Sequence, residues 1–563
     1  MPSIYYRSRV VVFCCLLVLV AQATVCSGQL RRMNVKVEKT FDKDFQFPEA
    51  VYISSKKNVG VAFSGGGSRS AAATLGQLRA LNTLGLLDTI KYISCLSGSA
   101  WSAIPFTYLP ARMKDTDLLG VYNDPKDLTW YEMTTTEEGS LAYSIAHSHT
   151  FPRTFFHWLR GEGNKKYSGA LNDIYLKNID LGNRHRYFSY KDENVSDIIS
   201  HNIDLKAYDF YTVNPRNNRP FLIVNISFIG SEKNSKGLSS NTFEITPLYS
   251  GLAYYNTAFK IPAGGGYYES FALDAERSNA LKNNNHVVVK LGHKKQIFSL
   301  ADAMALTGRT YYAKADIDNH YSHAMKIGLW SPYQYWDNDF YMKKTTEKFT
   351  LADGGDVDNL GIIALLKRKV DKIIVFVNTQ QPITSNNTGA VVDEGITKLF
   401  GAFNNYNEIE MSKIALHVLK NDRGQLDTLR NRLMALKRAN EPLIYTGTYE
   451  VQENEQYGIY TNPSWNKVQI TWVYSDDPQP FYSKLKDKDI REAHRSGKLN
   501  QKVKKKMKEN NETGNFPFYV SAWSSSFKKG LDYKNEHVNF LADFSAWVIM
   551  NNADYFKKIV LGN

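Results

Sequence analysis

Ser97 stands in the segment Cys95-Leu96-Ser97-Gly98-Ser99, between an apolar stretch and a run of helix formers. A serine on a sharp strand-to-helix turn exposes its hydroxyl above a sheet, and the helix that follows stabilises negative charge developing there. Such a turn is crowded, and Gly98 and Ser99 supply small residues on its far side. Upstream lies Ser64-Gly65-Gly66-Gly67-Ser68-Arg69. A glycine run at a strand end lets backbone N–H groups converge on a phosphate or on an oxyanion. It is not a nucleotide-binding P-loop, because the spacing and the Lys-Ser/Thr pair are missing. Arg69 is placed to hold a phosphate ester through two parallel hydrogen bonds. Far downstream comes Leu351-Ala352-Asp353-Gly354-Gly355-Asp356-Val357-Asp358-Asn359. Asp353 there ends a strand, where open α/β sheets place their sites, and could take the Ser97 proton directly. Asp356 and Asp358 read as turn or helix-cap acids, since the spacing and closing Glu of a calcium loop are absent.

Other chemistries fit less well. After Asp353 only His417, His494 and His537 remain, none in a turn signature, so a dyad suits the pattern better than a Ser-His-Asp triad. Cys95 at a strand end reads as small core packing rather than as a nucleophile. No His-Glu-x-x-His metal pattern occurs, and neither a metal nor a cofactor is expected.

These residues need a scaffold. Asn58–Ser64 reads as a buried strand entering the glycine run. Ala71–Leu84 follows as a helix, with Leu75, Leu78 and Leu81 on one side and Gly85 as its C-cap. Ile90–Cys95 is a second strand and Ala100–Leu109 a second helix, which together open a parallel α/β sheet. Further strands are predicted at Pro220–Phe228, His286–Leu291, Lys348–Ala352, Lys372–Asn378, Ile414–Leu419 and Val468–Tyr474. Helices are predicted at Leu300–Leu306, Leu360–Lys369 and Leu426–Leu436. Gln29–Lys57 reads as a polar lead, extended along the surface. Residues 119–216, rich in Tyr, Trp, His and charge with weak periodicity, read as an insertion forming a lid or cap on one catalytic domain, 29–563.

The three motifs, in this order and spacing, resemble the catalytic domain of group IV (cytosolic-type) phospholipases A2, related to patatins and fungal phospholipase B. Trp101 and weaker echoes at Phe243–Pro247 and Ser299–Gly308 extend the resemblance across about Gly60 to Asn378. It implies a three-layer, patatin-like modified α/β-hydrolase with a central, mostly parallel sheet. It also implies Ser97 as nucleophile, Asp353 as its base, Gly66 and Gly67 as oxyanion donors, and Arg69 as anchor for the substrate phosphate. The implied activity is calcium-independent hydrolysis of fatty-acyl esters of phospholipids or lysophospholipids through an acyl-serine. A lipid-binding protein on the same fold without turnover is the alternative. Two departures stand out: Cys95 replaces the first glycine of the nucleophile segment, and no C2 domain is expected ahead of the catalytic part.

The amino terminus and the charge bear on location. Arg7 and Arg9 precede an apolar run, Val10–Ala21, and small residues follow to Gly28. This reads as a secretory signal over residues 1–28, with cleavage after Ala23 or an uncleaved anchor as alternatives, and predicts a secreted or luminal chain. Of the four cysteines only Cys95 lies beyond residue 28, so no internal disulfide is expected there. Sequons occur at Asn194, Asn225, Asn386 and Asn511, of which Asn225 falls within a predicted buried strand. The chain is 563 residues long, 43% hydrophobic and 22% charged, the profile of a folded globular protein. Its net charge of +13, with a lysine cluster from Lys498 to Lys508, favours peripheral contact with an anionic membrane surface. Nucleic-acid binding is not expected, for no recognition motif accompanies the charge.

Overall fold

The computed structural model describes residues 32–562 except 40–42, 161–164, 217, 232–240, 254–263, 283–285, 291–296, 309–332, 336–346, 387–388, 403–414, 477, 497–515 and 520–532. At its centre five strands run parallel: β1 (Lys57–Phe63), β2 (Ile90–Cys95), β3 (Phe221–Ser231), β5 (Lys372–Val377) and β6 (Lys467–Tyr474). Their order across the sheet is β6-β5-β1-β2-β3. These strands are almost unbroken apolar runs, such as Ile373-Ile374-Val375-Phe376, all buried. That composition belongs to a sheet covered on both faces. The α/β class and the parallel centre agree with the sequence reading.

The sheet is longer than the sequence suggested, with 14 strands among the described residues. Beyond β3 it continues antiparallel through Asn241–Ile245, Tyr249–Leu252, Gly266–Glu269 and Arg32–Lys39. Arg32–Lys39 is therefore a sheet strand rather than a surface lead. Met33, Val35 and Val37 are buried at alternate positions, the two-residue period of a strand with one covered face. The predicted strand at Ile414–Leu419 is not formed: Ile414 lies outside the described residues, and the remainder supplies one isolated bridge, Leu419 to Val451.

One feature of the topology brings the site together. Strand β4 (Glu347–Asp353) runs antiparallel to β3 on the same edge that β2 occupies. Cys95 at the end of β2 is paired with Val224, and Asp353 at the end of β4 with Ile226. The two strands thus approach end to end, with Asn225 of β3 at the junction.

Three helices bear on the same region. Helix α1 (Gly67–Thr83) leaves the glycine run, α2 (Gly98–Thr107) leaves Ser97, and α3 (Leu300–Thr307) ends beside Ser97. Helix α4 (Asn535–Met550) lies along α1. A β-carbon on Gly76 of α1 would overlap the carbonyl group of Ala542, so these helices touch backbone to backbone. Nearby, Arg79 Nη1 is 2.5 Å from Asp543 Oδ1, a buried ion pair. Residues 119–216 form short helices, including Trp130–Thr134, Leu141–Ala146 and Asp192–Ser200. A small parallel pair, Tyr187–Ser189 with Phe210–Thr212, lies among them. No helix of the described residues is long and apolar enough to cross a membrane.

Candidate active site

Ser97 Oγ donates a hydrogen bond to Asp353 Oδ2 at 2.8 Å across 256 positions of sequence. Both side chains are largely covered, Ser97 7% and Asp353 5% exposed. Burial pushes the Asp353 carboxyl up to about 6, an effect held back by donation from the Gly355 N–H and from the Ser97 hydroxyl. The Gly355 N–H reaches Asp353 Oδ1 at 2.9 Å, which leaves Oδ2 for the serine. A carboxylate titrating there is ionised at neutral pH, yet basic enough to accept a proton.

The Ser97 backbone has φ 51° and ψ −132° at the N-cap of α2. A non-glycine residue held in such a region costs on the order of 1–3 kcal/mol and persists only when its surroundings fix it. Leu96 N–H donates to Ser99 Oγ at 3.0 Å, and the single Ser99 hydroxyl proton has Phe63 O and Leu96 O as acceptors within reach, at 2.9 and 2.7 Å. Gly66 and Gly67 both have positive φ, 144° and 57°, where a side chain would be strained. Gly98 admits no β-carbon, because that atom would overlap the Gly67 carbonyl. The glycine run and the serine turn are therefore in direct contact, and helices α1 and α2 both start at that contact.

Arg69 is buried on the first turn of α1. Its Nε donates to Asn378 O at 3.1 Å and its Nη1 to Tyr519 O at 2.8 Å, while its Nη2 lies against Gly66. The guanidinium is thus oriented by two carbonyls beside the glycine run. Asn378, at the end of β5, is a hub: its N–H donates to Ser64 Oγ at 2.8 Å, and its Oδ1 accepts from Gln77 Nε2 at 2.7 Å.

The remaining sequence candidates fall as follows. The Cys95 thiol is wholly buried, directed at Ile223 O at 3.5 Å, and burial drives its pKa far up, so it is inert core. Asp358 accepts from Leu360 N and Ile363 N at 3.1 and 2.8 Å and serves as a cap. His537 packs against Tyr519 and Tyr533, and His417 is exposed. Trp101 donates to Met304 O at 3.3 Å and covers Gly308. The side chain of His494 and the cluster Lys498–Lys508 lie outside the described residues.

Sequence reasoning missed three contributors. Asn359 wedges its side chain between Gly65 and Gly355, and its carbonyl accepts from Gly65 N at 3.0 Å. Thr307 Oγ1 accepts from Ser97 N at 2.8 Å and donates to Asn225 O at 2.8 Å. Asn225 Nδ2 donates to Ser94 Oγ and Cys95 O at 2.8 and 3.0 Å. A polar residue inside an otherwise apolar strand, as Asn225 is, was the available signal.

No protein-family model matches the chain. Human cytosolic phospholipase A2 zeta is 39% identical over 72 residues, 13% of this chain and 8% of the relative. Human cytosolic phospholipase A2 beta is 37% identical over 86 residues, 15% of this chain and 10% of the relative. The matched segments span about a tenth of those relatives' length. Among solved structures, human GIVD cytosolic phospholipase A2 aligns with 92% of this chain and 64% of its own, at 12% identity and TM-score 0.47.

These matches overturn the expectation of a secreted or luminal chain, since the relatives are cytosolic by name. Residues 1–28, which suggested a leader, lie outside the described residues. Of the four sequons, the Asn225 amide is buried in the site, and Asn194 Nδ2 donates to Tyr52 Oη at 2.7 Å. In its motifs and its matched relatives, the chain resembles the catalytic domain of the group IV, cytosolic-type phospholipases A2.

Proposed function

We propose that this protein hydrolyses fatty-acyl esters of phospholipids or lysophospholipids, with Ser97 as nucleophile and Asp353 as its base. The observation that carries the reading is the 2.8 Å contact between Ser97 Oγ and Asp353 Oδ2. The acyl carbonyl lies over Gly66 and Gly67, whose backbone N–H groups receive the oxyanion. Asp353 Oδ2 takes the hydroxyl proton as Ser97 Oγ bonds to the carbonyl carbon. The tetrahedral adduct collapses, the ester C–O bond breaks, and the departing alkoxide takes the proton back from Asp353. A water molecule then gives a proton to Asp353 and attacks the acyl-serine, releasing the fatty acid and restoring the hydroxyl. The N-termini of α1 and α2 meet at the site and favour the negative charge of each adduct.

Arg69, oriented beside Gly66, anchors the substrate phosphate in this reading. Residues 119–216 act as the lid or cap of a single catalytic domain. Every proton in the cycle passes between Ser97, Asp353, water and the leaving group, so turnover should survive a calcium chelator. The net positive charge suits a substrate presented on an anionic membrane surface.

The test is fatty-acid release from a panel of diacyl and lysophospholipids by the wild-type protein beside Ser97→Ala and Asp353→Ala. Both variants should lose several orders of magnitude in rate and should not label with a fluorophosphonate. Release by Ser97→Ala at the wild-type rate would refute the reading. A folded wild-type protein that binds lipid, neither labels nor turns over, would identify a binding protein instead.

A further inference from the structure

The Ser97–Asp353 contact joins two strand ends that do not pair with each other, so something else must set their separation. Thr307, the last residue of α3, and Asn225, at the junction on β3, make side-chain hydrogen bonds to the backbone on either side of Leu96. Asn225 Nδ2 holds the Cys95 carbonyl before Leu96, and Thr307 Oγ1 holds the Ser97 N–H after it. Thr307 closes the ring by donating to the Asn225 carbonyl. That same carbonyl oxygen lies 2.5 Å from where a β-carbon on Gly354 would stand, so it also abuts the turn that follows Asp353. Ser227 Oγ of β3 donates to Gly354 O at 3.3 Å and fastens the base's side of the junction.

We propose that Thr307 is a positioning residue, acting through Asn225 to register the Ser97 backbone against Asp353. This rests on the reading of Ser97 and Asp353 as the catalytic pair. Its hydroxyl serves as acceptor and donor at once, a combination that a threonine or serine supplies and valine does not. It also occupies the Ser97 N–H, which leaves the oxyanion to the glycine run. The strained φ of Ser97 is then held from its amide as well as from Ser99.

The experiment compares Thr307→Val with Thr307→Ser in the full chain. Thr307→Val should lower kcat about 10- to 100-fold with KM changed less than about threefold, and slow fluorophosphonate labelling in proportion. Thr307→Ser should recover most of the rate. Amide hydrogen exchange, read on the peptide holding Ser97 and referred to peptides of β5, should accelerate in Thr307→Val and return in Thr307→Ser. If Thr307→Val retains the wild-type kcat, or leaves exchange at Ser97 unchanged, the inference is overturned. Should Thr307→Val fail to fold, Thr307→Ser decides through exchange: protection at Ser97 below wild type overturns it, and protection at the wild-type level supports it. An inactive wild-type protein that keeps the exchange contrast would sink the catalytic reading while upholding the positioning of Ser97.

Discussion

Gly98 lies so close to Gly67 that a β-carbon on the former would overlap the carbonyl group of the latter. The turn presenting Ser97 and the loop facing it are held at backbone contact distance, and neither can shift alone.

Gly98→Ala should therefore abolish esterase activity even if the protein folds. A single methyl group must displace the glycine run, and a displacement near 1 Å in such a site costs about 100-fold or more in rate. Gly85→Ala is the control, for Gly85 caps α1 in open space with φ 68°. It should lose some stability, seen as a lower Tm, while its activity per folded molecule stays at the wild-type level.

In the proposed reaction Asp353 must be ionised to accept the serine proton, and burial pushes its carboxyl up to about 6. The value of kcat/KM should fall about tenfold per pH unit below that point and level off above it. Rates from pH 4 to 8 on a neutral lipid, with folding monitored in parallel, provide the check. A profile flat down to pH 4 in a folded protein would mean that Asp353 is not the base.

The same titration has a stability counterpart. An unfolded aspartate titrates near 3.8, so between about 4 and 6 the folded chain keeps a proton that the unfolded chain has lost. Stability from this group is therefore lost as pH rises through that window, by on the order of 2–3 kcal/mol. Asp353→Asn removes the ionisation and can still accept from the Gly355 N–H. Its Tm should exceed the wild-type value at pH 7, and the gap should close near pH 4. A variant that is less stable at both pH values would contradict the account.

Cys95 should be chemically silent. Iodoacetamide applied to the native protein should leave activity intact, and Cys95→Ala should keep turnover within about threefold while losing about 1–2 kcal/mol of stability to the small cavity. Inactivation by the reagent at a rate matching modification of Cys95 would restore the thiol as a participant.

The proposed reactive groups stand out in the sequence because their surroundings demand particular residue types. Only small residues suit the turn at Ser97, and positive φ at Gly66 and Gly67 selects glycine. Strand ends were readable for a similar reason: Ile90–Cys95 is found at the residues expected, and Lys372–Asn378 stops one residue earlier at Val377. The abutment of β2 and β4 along β3 was not readable, because strand register depends on partners over a hundred residues away. Thr307 shows the same limit, since nothing local distinguishes a helix-ending threonine that grips a distant amide. Arg32–Lys39 was hidden differently: its alternation of Met33, Val35 and Val37 with polar and charged residues reads as polarity unless the period is counted. Arg69 could be singled out as a phosphate anchor from its place after the glycine run, but not its burial, which the carbonyls of Asn378 and Tyr519 on distant segments make possible.

The notch at Gly76 has one further consequence. It accepts the main chain of Ala542 and leaves no room there for a side chain. A product clipped ahead of Asn535 would uncover that groove and deprive the helix carrying Arg69 and the glycine run of its support. Proteolysis near the carboxyl end should then disable the distant Ser97–Asp353 pair without touching either side chain.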